Sequence, residues 1–305
     1  MQIYLPIAEM AVEANAIFLL SAFVGVLSGI FGVGGGFLTT PFLIFSGIPP
    51  AIAVGTQACQ LVASGVAGSL AHLRRGNVDV KMGLVMMAGG VLGSILGTFL
   101  FSLLEFMGQI DLVISLLYIV LLGTIGVLML LETTTSFFVR SRKEMRKEFN
   151  KGGVSPFILS LPYKMRFPRS KLFISVFVPA GIGFVGGLLA SILGVGGGFV
   201  LVPAMIYILG MPPLLVAGTS LFQVIFVTAA ATMMHAVFNQ TVDIVLGMIL
   251  IAGGVIGAQI GVMFGKFVKG TSARVLLALL ILAVCARMAV ELFIRPEDLF
   301  STVVM

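Results

Sequence analysis

Gly32-Val33-Gly34-Gly35-Gly36-Phe37 returns letter for letter as Gly194-Val195-Gly196-Gly197-Gly198-Phe199. Each copy sits inside a long apolar run, 11–46 for the first and 172–210 for the second. Three successive glycines weaken a helix by roughly 1 kcal/mol each. The string therefore predicts a break in a segment otherwise hydrophobic enough to be helical.

The surrounding composition says what kind of molecule carries the break. Of 305 residues, 59% are hydrophobic and only 10% charged, and the mean hydropathy is +1.18. That is too little polar surface to coat a soluble globule. Uncharged runs such as 17–73 and 82–104 are long enough to cross a hydrocarbon core of about 30 Å. The first fifteen residues carry Glu9 and Glu13 but no Lys or Arg, so no secretory signal is expected. The net charge of +6 gathers in a few loops, which argues for membrane topology and against a nucleic-acid partner. Cys59 and Cys285 lie in apolar stretches and make neither a disulfide framework nor a zinc site.

The two halves align over about a hundred residues, the mark of a duplication. Pro41 answers to Pro203, Pro49-Pro50 to Pro212-Pro213, Gly55-Thr56 to Gly218-Thr219, Gln60 to Gln223 and His72 to His235, with an offset drifting only from 162 to 164. Asp79 pairs with Asp243, and Ala88-Gly89-Gly90 with Ala252-Gly253-Gly254. The fold expected is an all-α polytopic membrane protein, with an N-terminal repeat 1–131, a basic linker 132–171 and a C-terminal repeat 172–305. Each repeat holds one broken segment and three spans, at 51–73, 82–104 and 110–131, then 214–238, 244–266 and 272–294.

Loop charges bear on the relative orientation of the repeats. Arg74, Arg75 and Lys81 flank a first-half loop whose counterpart has no basic residue, whereas Lys266, Lys269 and Arg274 flank a second-half loop whose counterpart has Glu105 and Asp111. If each broken segment goes in and returns as a hairpin of two short helices, the repeats are inverted. Every basic loop, including the linker with Arg140, Arg142, Lys143, Arg146 and Lys147, then falls in the cytoplasm, and Glu9, Glu13, Glu297 and Asp298 fall outside. Parallel repeats would leave basic loops on both sides, so the inverted arrangement is preferred.

A helix broken in lipid must have its backbone groups satisfied by protein or by a cavity. After Gly36 and Gly198 a new half-helix can start, with Pro41 and Pro203 close to its first turn. Its free N–H groups make an anion site, and glycine lets a ligand approach the backbone. Interrupted segments at corresponding positions of two repeats point to the substrate site of a membrane transporter. Gly34, Gly35, Gly36, Gly196, Gly197 and Gly198 are therefore candidate binding residues. Thr56 and Gln60, and Thr219 and Gln223, are four apart and present hydroxyl and amide on one helix face, with Gln57 and Ser220 beside them.

Plainer readings stand alongside. Gly89, Gly93 and Gly97, like Gly253, Gly257 and Gly261, are spaced for close helix packing. A dinucleotide fingerprint is excluded because no strand and no ribose-binding acid accompany the string. The Thr and Gln pairs could be polar glue between helices. His72 and His235 lie twelve residues past their glutamines, ~18 Å along a helix, which predicts interfacial or capping roles. Asp79 and Asp243 have the place of helix N-caps, and Arg287 with Glu291 that of an ion pair one turn apart.

Two copies of GVGGGF, each followed by Pro, a Pro-Pro loop, Gly-Thr, Gln and His, resemble the TauE/SafE family of sulfite and organosulfonate exporters. The resemblance covers both repeats but not the basic linker. It implies a prokaryotic inner-membrane carrier of small sulfur-containing anions, and its motif falls on Gly34 to Gly36, Gly196 to Gly198, Thr56, Gln60, Thr219 and Gln223. Ser220 stands where the first half has Gln57, a departure from symmetry.

The expectation is a secondary exporter of a small anion, sulfite or an organosulfonate, working by alternating access without cofactor, metal or ATP-binding loop. Its partners are that anion and membrane lipid; proton coupling and a homodimer are left open. The alternative is an intramembrane hydrolase or a cation carrier using His72, His235, Asp79 and Asp243. For that reading HExxH and GxSxG signatures are missing.

Overall fold

A computed structural model describes residues 2–31, 36–138, 162–264 and 271–293. Gly34 and Gly35, the linker residues 139–161, Lys266 and Lys269, and Glu297 and Asp298 lie outside the described residues. The first repeat runs through helices α1 (Ala14–Phe31), α2 (Gly36–Phe45), α3 (Pro50–Arg74), α4 (Val80–Phe106) and α5 (Ile110–Phe138). The second runs through α6 (Phe177–Leu193), α7 (Gly198–Tyr207), α8 (Pro213–Met234), α9 (Ile244–Phe264) and α10 (Thr271–Phe293). Among the described residues six helices are long and apolar enough to cross a membrane, which makes this a helical polytopic membrane protein.

Each repeat is preceded by a feature absent from the sequence reading, an antiparallel β-hairpin. Strands β1 (Gln2–Leu5) and β2 (Met10–Glu13) make the first, β3 (Lys164–Phe167) and β4 (Leu172–Ser175) the second. The second spans the boundary drawn between linker and C-terminal repeat. Both hairpins follow one template at the offset of 162: Pro6 matches Pro168, and Glu9 (φ 52°) matches Lys171 (φ 54°) in the left-handed region.

The helices interlock between halves. α1 packs on α9, with Phe18 against Gly253 and Ala22 against Gly257. In the equivalent pair, α4 packs on α6, with Gly89 against Ala180, Gly93 against Phe184 and Gly97 against Leu188. A Cβ on Gly93 would lie 2.0 Å from the Phe184 carbonyl oxygen, so these glycines are there for backbone approach. Homologous helices run antiparallel: along α3 and α8, Gly65 meets Ile225, Gly68 meets Leu221 and His72 meets Gly218. In α5 and α10, Cys285 lies by Ile119 and Leu282 by Gly126, again in opposite directions.

Each broken segment returns to the end it came from. One core cluster holds Leu5 and Val12 of the first hairpin, Ile17 at the start of α1, and Leu43 and Ile48 around the end of α2. Its counterpart holds Phe167 and Ile174 of the second hairpin with Val178 at the start of α6 and Leu209 and Met211 beyond the end of α7. The hairpins sit at opposite ends of α3, a helix of 25 residues, ~37 Å long.

Polar anchors hold each hairpin to the other half. Asp79 N-caps α4 by accepting from Met82 N at 3.2 Å, and its second oxygen accepts from the Ser170 N–H at 3.0 Å and from the Ser170 hydroxyl. Asp243 accepts from Leu246 N and from Ile7 N of the first hairpin, both at 3.0 Å. The expected N-cap role is met at both positions, and each cap doubles as a clamp.

Candidate functional site

The second glycine string shows how the break is built. Gly194 ends α6 with φ 68°, its N–H donating to the Ala190 carbonyl at 2.9 Å, and Gly196 (φ 72°) and Gly197 (φ 69°) turn the chain into α7. Any other L-residue would pay steric strain at these left-handed positions. The Tyr118 hydroxyl donates to the Leu193 carbonyl, satisfying one group freed by the break. α7 then begins with Gly198, and its first amides have no partner within the helix.

The two breaks meet. Gly36 lies against the carbonyls of Gly194 and Val195, and Leu61 of α3 touches both Gly36 and Gly196. Phe37 and Phe199, one residue into α2 and α7, stack with ring centroids 4.4 Å apart. α2 and α7 have 10 residues each, so the meeting point lies ~15 Å in from either end.

Three buried amides on α3 and α8 leave atoms without hydrogen-bond partners among the described residues. Gln57 is 0% exposed, and neither its Nε2 nor its Oε1 has a hydrogen-bond partner. It lies between Val54, which packs on Gly194, and Leu61, which packs on both breaks. Those residues are about one helical turn away on either side, so Gln57 shares the face of α3 turned to the breaks. Gln223 is equally buried with both amide atoms unpartnered, and Gln60 is 5% exposed with Oε1 unpartnered. Each orphaned group costs about 1–3 kcal/mol, and an unsatisfied group in a native core needs a ligand, water or ion to account for it.

The other candidates are placed differently. Thr56 and Gln60 share a face, as their spacing implied, but it is turned to α9: Thr56 Oγ1 accepts from the Asp243 N–H at 3.0 Å, and Gln60 lies on Gly254. Thr219 Oγ1 likewise accepts from the Asp79 N–H at 3.0 Å, and Gln223 lies on Gly90. The threonines therefore tie the start of the following helix of the other half. Ser220 donates to the Ala217 carbonyl of its own helix at 3.1 Å. Ser21, which the sequence reading passed over, accepts from Gln60 Nε2 at 3.1 Å.

The histidines and aspartates of the alternative reading do not come together. His235 is fully buried and stands at the C-cap of α8, in line with the capping role expected: Nε2 lies 2.8 Å from the Ser191 carbonyl, Nδ1 lies 3.1 Å from Asn239 Nδ2, and the ring meets Phe101 edge-on. It opens a π-helical turn, His235–Asn239. His72 is only half-buried, at the far end of α3. No hydrogen bond links any two of His72, His235, Asp79 and Asp243, and no cluster of three metal-ligating side chains occurs among the described residues. Arg287 pairs with Glu291 at 3.2 Å as expected and also lies over the Phe45 ring.

Membrane-length helices, two broken segments that meet and orphaned amides buried on the helices that follow them define an integral membrane protein of the transporter class. The chain belongs to the sulfite exporter TauE/SafE family, whose model matches residues 17–288. It is similar to the probable membrane transporter protein YunE of Bacillus subtilis, 26% identical over 277 residues, covering 87% of this chain and 94% of the relative. A probable membrane transporter protein of Xylella fastidiosa is 28% identical over 240 residues, covering 78% of this chain and 79% of its own. Sulfite exporter TauE/SafE family protein 5 of Arabidopsis thaliana is 36% identical over 78 residues, 26% of this chain and 17% of its own. No solved structure matches the chain.

Proposed function

We propose that the chain is a secondary transporter that exports a small sulfur-containing anion, sulfite or an organosulfonate, across a prokaryotic inner membrane by alternating access. The observation that carries this reading is the fully buried Gln57 amide, unpartnered at both atoms on the face of α3 turned to the glycine breaks, with the orphaned amides of Gln60 and Gln223 on α3 and α8 as further donors and acceptors. Neutral amides and helix N-termini suit an anion that must enter and leave. Helix dipoles alone offer at most about 2 kcal/mol, less than the desolvation cost of an ion, so direct hydrogen bonds from the amides make up the rest.

Inverted repeats fit the antiparallel run of α3 against α8 and of α5 against α10. Charge agrees: the first hairpin carries Glu9 and Glu13, and the second carries Lys164, Arg166, Arg169 and Lys171. The positive-inside rule then assigns the second hairpin and the linker to the cytoplasm. The near-complete cover over all three glutamines suits a state closed at both ends. A proton, if one is coupled, travels on the substrate, because Asp79 and Asp243 are committed to their caps.

Sulfite flux in proteoliposomes tests the reading. Gln60→Ala and Gln223→Ala should abolish transport while leaving the protein folded. Normal flux in both variants would sink the proposed site.

A further inference from the structure

Ser21 is fully buried and its hydroxyl has a single proton, which it gives to the Leu250 carbonyl of α9 at 2.7 Å. What remains at Ser21 Oγ is acceptor capacity alone, so whatever else meets it must donate. The group that meets it is the Gln60 amide, through Nε2 at 3.1 Å. The chain Gln60 to Ser21 to Leu250 therefore decides which way round the amide stands, and the oxygen is the atom left buried without a partner. Gly254 makes room for this pose, since a Cβ there would lie 2.0 Å from Gln60 Nε2.

The second repeat has no such lock. Phe18 and Ala22 correspond to Ala180 and Phe184 in the paired packing of α1 on α9 and α6 on α4, so the place of Ser21 is taken by Gly183. Gln223 lies on Gly90, and both its amide atoms are without a partner. One glutamine is pinned and its twin is held by no such bond.

We propose that Ser21 is a positioning residue that holds Gln60 as a fixed acceptor, so that the site selects anions bearing a hydrogen-bond donor of their own. Hydrogensulfite and hydroxy- or aminosulfonates belong to that class; sulfate and simple alkanesulfonates do not. A donor-free anion would leave Gln60 Oε1 unsatisfied and face it with like partial charge. Gln223, able to present Nε2, serves the anion's oxygens in either case. This inference rests on the transport reading above, because it takes Gln60 to touch the substrate.

Two matched pairs of monoanionic probes test it by calorimetric titration of the full chain in detergent: isethionate with 1-propanesulfonate, and hydrogensulfite with methanesulfonate in mildly acid buffer. The wild type should favour the donor-bearing member of each pair by about tenfold. Ser21→Ala, which frees the Gln60 amide to turn over, should bring that ratio close to one. A packing role for Ser21 would weaken all probes together and leave the ratio intact. An unselective wild type, or a ratio untouched by Ser21→Ala, overturns the inference while loss of binding in Gln60→Ala still upholds the site. Failure of all four probes to bind the wild type overturns both.

Discussion

The rings of Phe37 and Phe199 stack 4.4 Å apart and 8° from parallel, although 162 positions separate them in the chain. They are the same residue of the duplicated string, so their contact marks a place where the two strings meet. Both rings are almost completely buried, at 2% and 3% exposure, among side chains of α3, α5 and α6.

A double-mutant cycle on that pair should show coupling. Phe37→Leu and Phe199→Leu each remove one ring, and the pair should be worth about 1 kcal/mol beyond the area buried. Chemical denaturation of the four proteins in detergent measures it. Strict additivity would mean that the two breaks do not meet.

Gln57 should trade stability for function. Gln57→Leu replaces two orphaned polar atoms with apolar ones of similar size, so the substrate-free protein should gain about 1–3 kcal/mol while sulfite flux disappears. Thermal unfolding and flux measured on one preparation decide the point. A less stable variant with normal flux would show that the amide is structural.

Asp79 and Asp243 should fail unequally. Alanine removes a helix cap at each, a loss of about 1 kcal/mol. Among the described residues Asp79 also holds two donors from Ser170, whereas Asp243 holds the single N–H of Ile7. Asp79→Ala should therefore be the more destabilising, and hydrogen exchange should report loosening of the Lys164–Ser175 hairpin in that variant and of the Gln2–Glu13 hairpin in Asp243→Ala. Equal losses, or hairpins that stay protected, would contradict the clamps.

Glycines of α4 and α6 should sort by what a methyl group would meet. At Gly93 it would lie 2.0 Å from the Phe184 carbonyl oxygen, whereas at Gly181 nothing lies within 4 Å. Gly93→Ala should cost about 1–3 kcal/mol through overpacking, and Gly181→Ala should gain about 0.5–1 kcal/mol from the lost flexibility of the unfolded chain. Melting temperatures of the two variants, compared with the parent, give the signs directly.

What the sequence by itself determined is local or repeated along the chain. Apolar length marked the spans, and the duplicated GVGGGF marked the breaks. Spacing by four marked the packing glycines, and position before a helix marked the aspartate caps, because each depends on neighbours within a few residues. Only the tertiary structure decided which faces meet. It turned Gln57 to the breaks but Thr56 and Thr219 to the helix starts of the opposite half, buried His235 at its helix cap, and supplied Ser21 as the partner of Gln60. The two hairpins were hidden because their templates share only Pro6 with Pro168 and a left-handed turn residue, and because their anchoring carboxylates lie in the other repeat. Contacts of that kind join positions dozens to hundreds of residues apart, so neither periodicity nor spacing along one segment can encode them; they follow from how two interlocked halves cross.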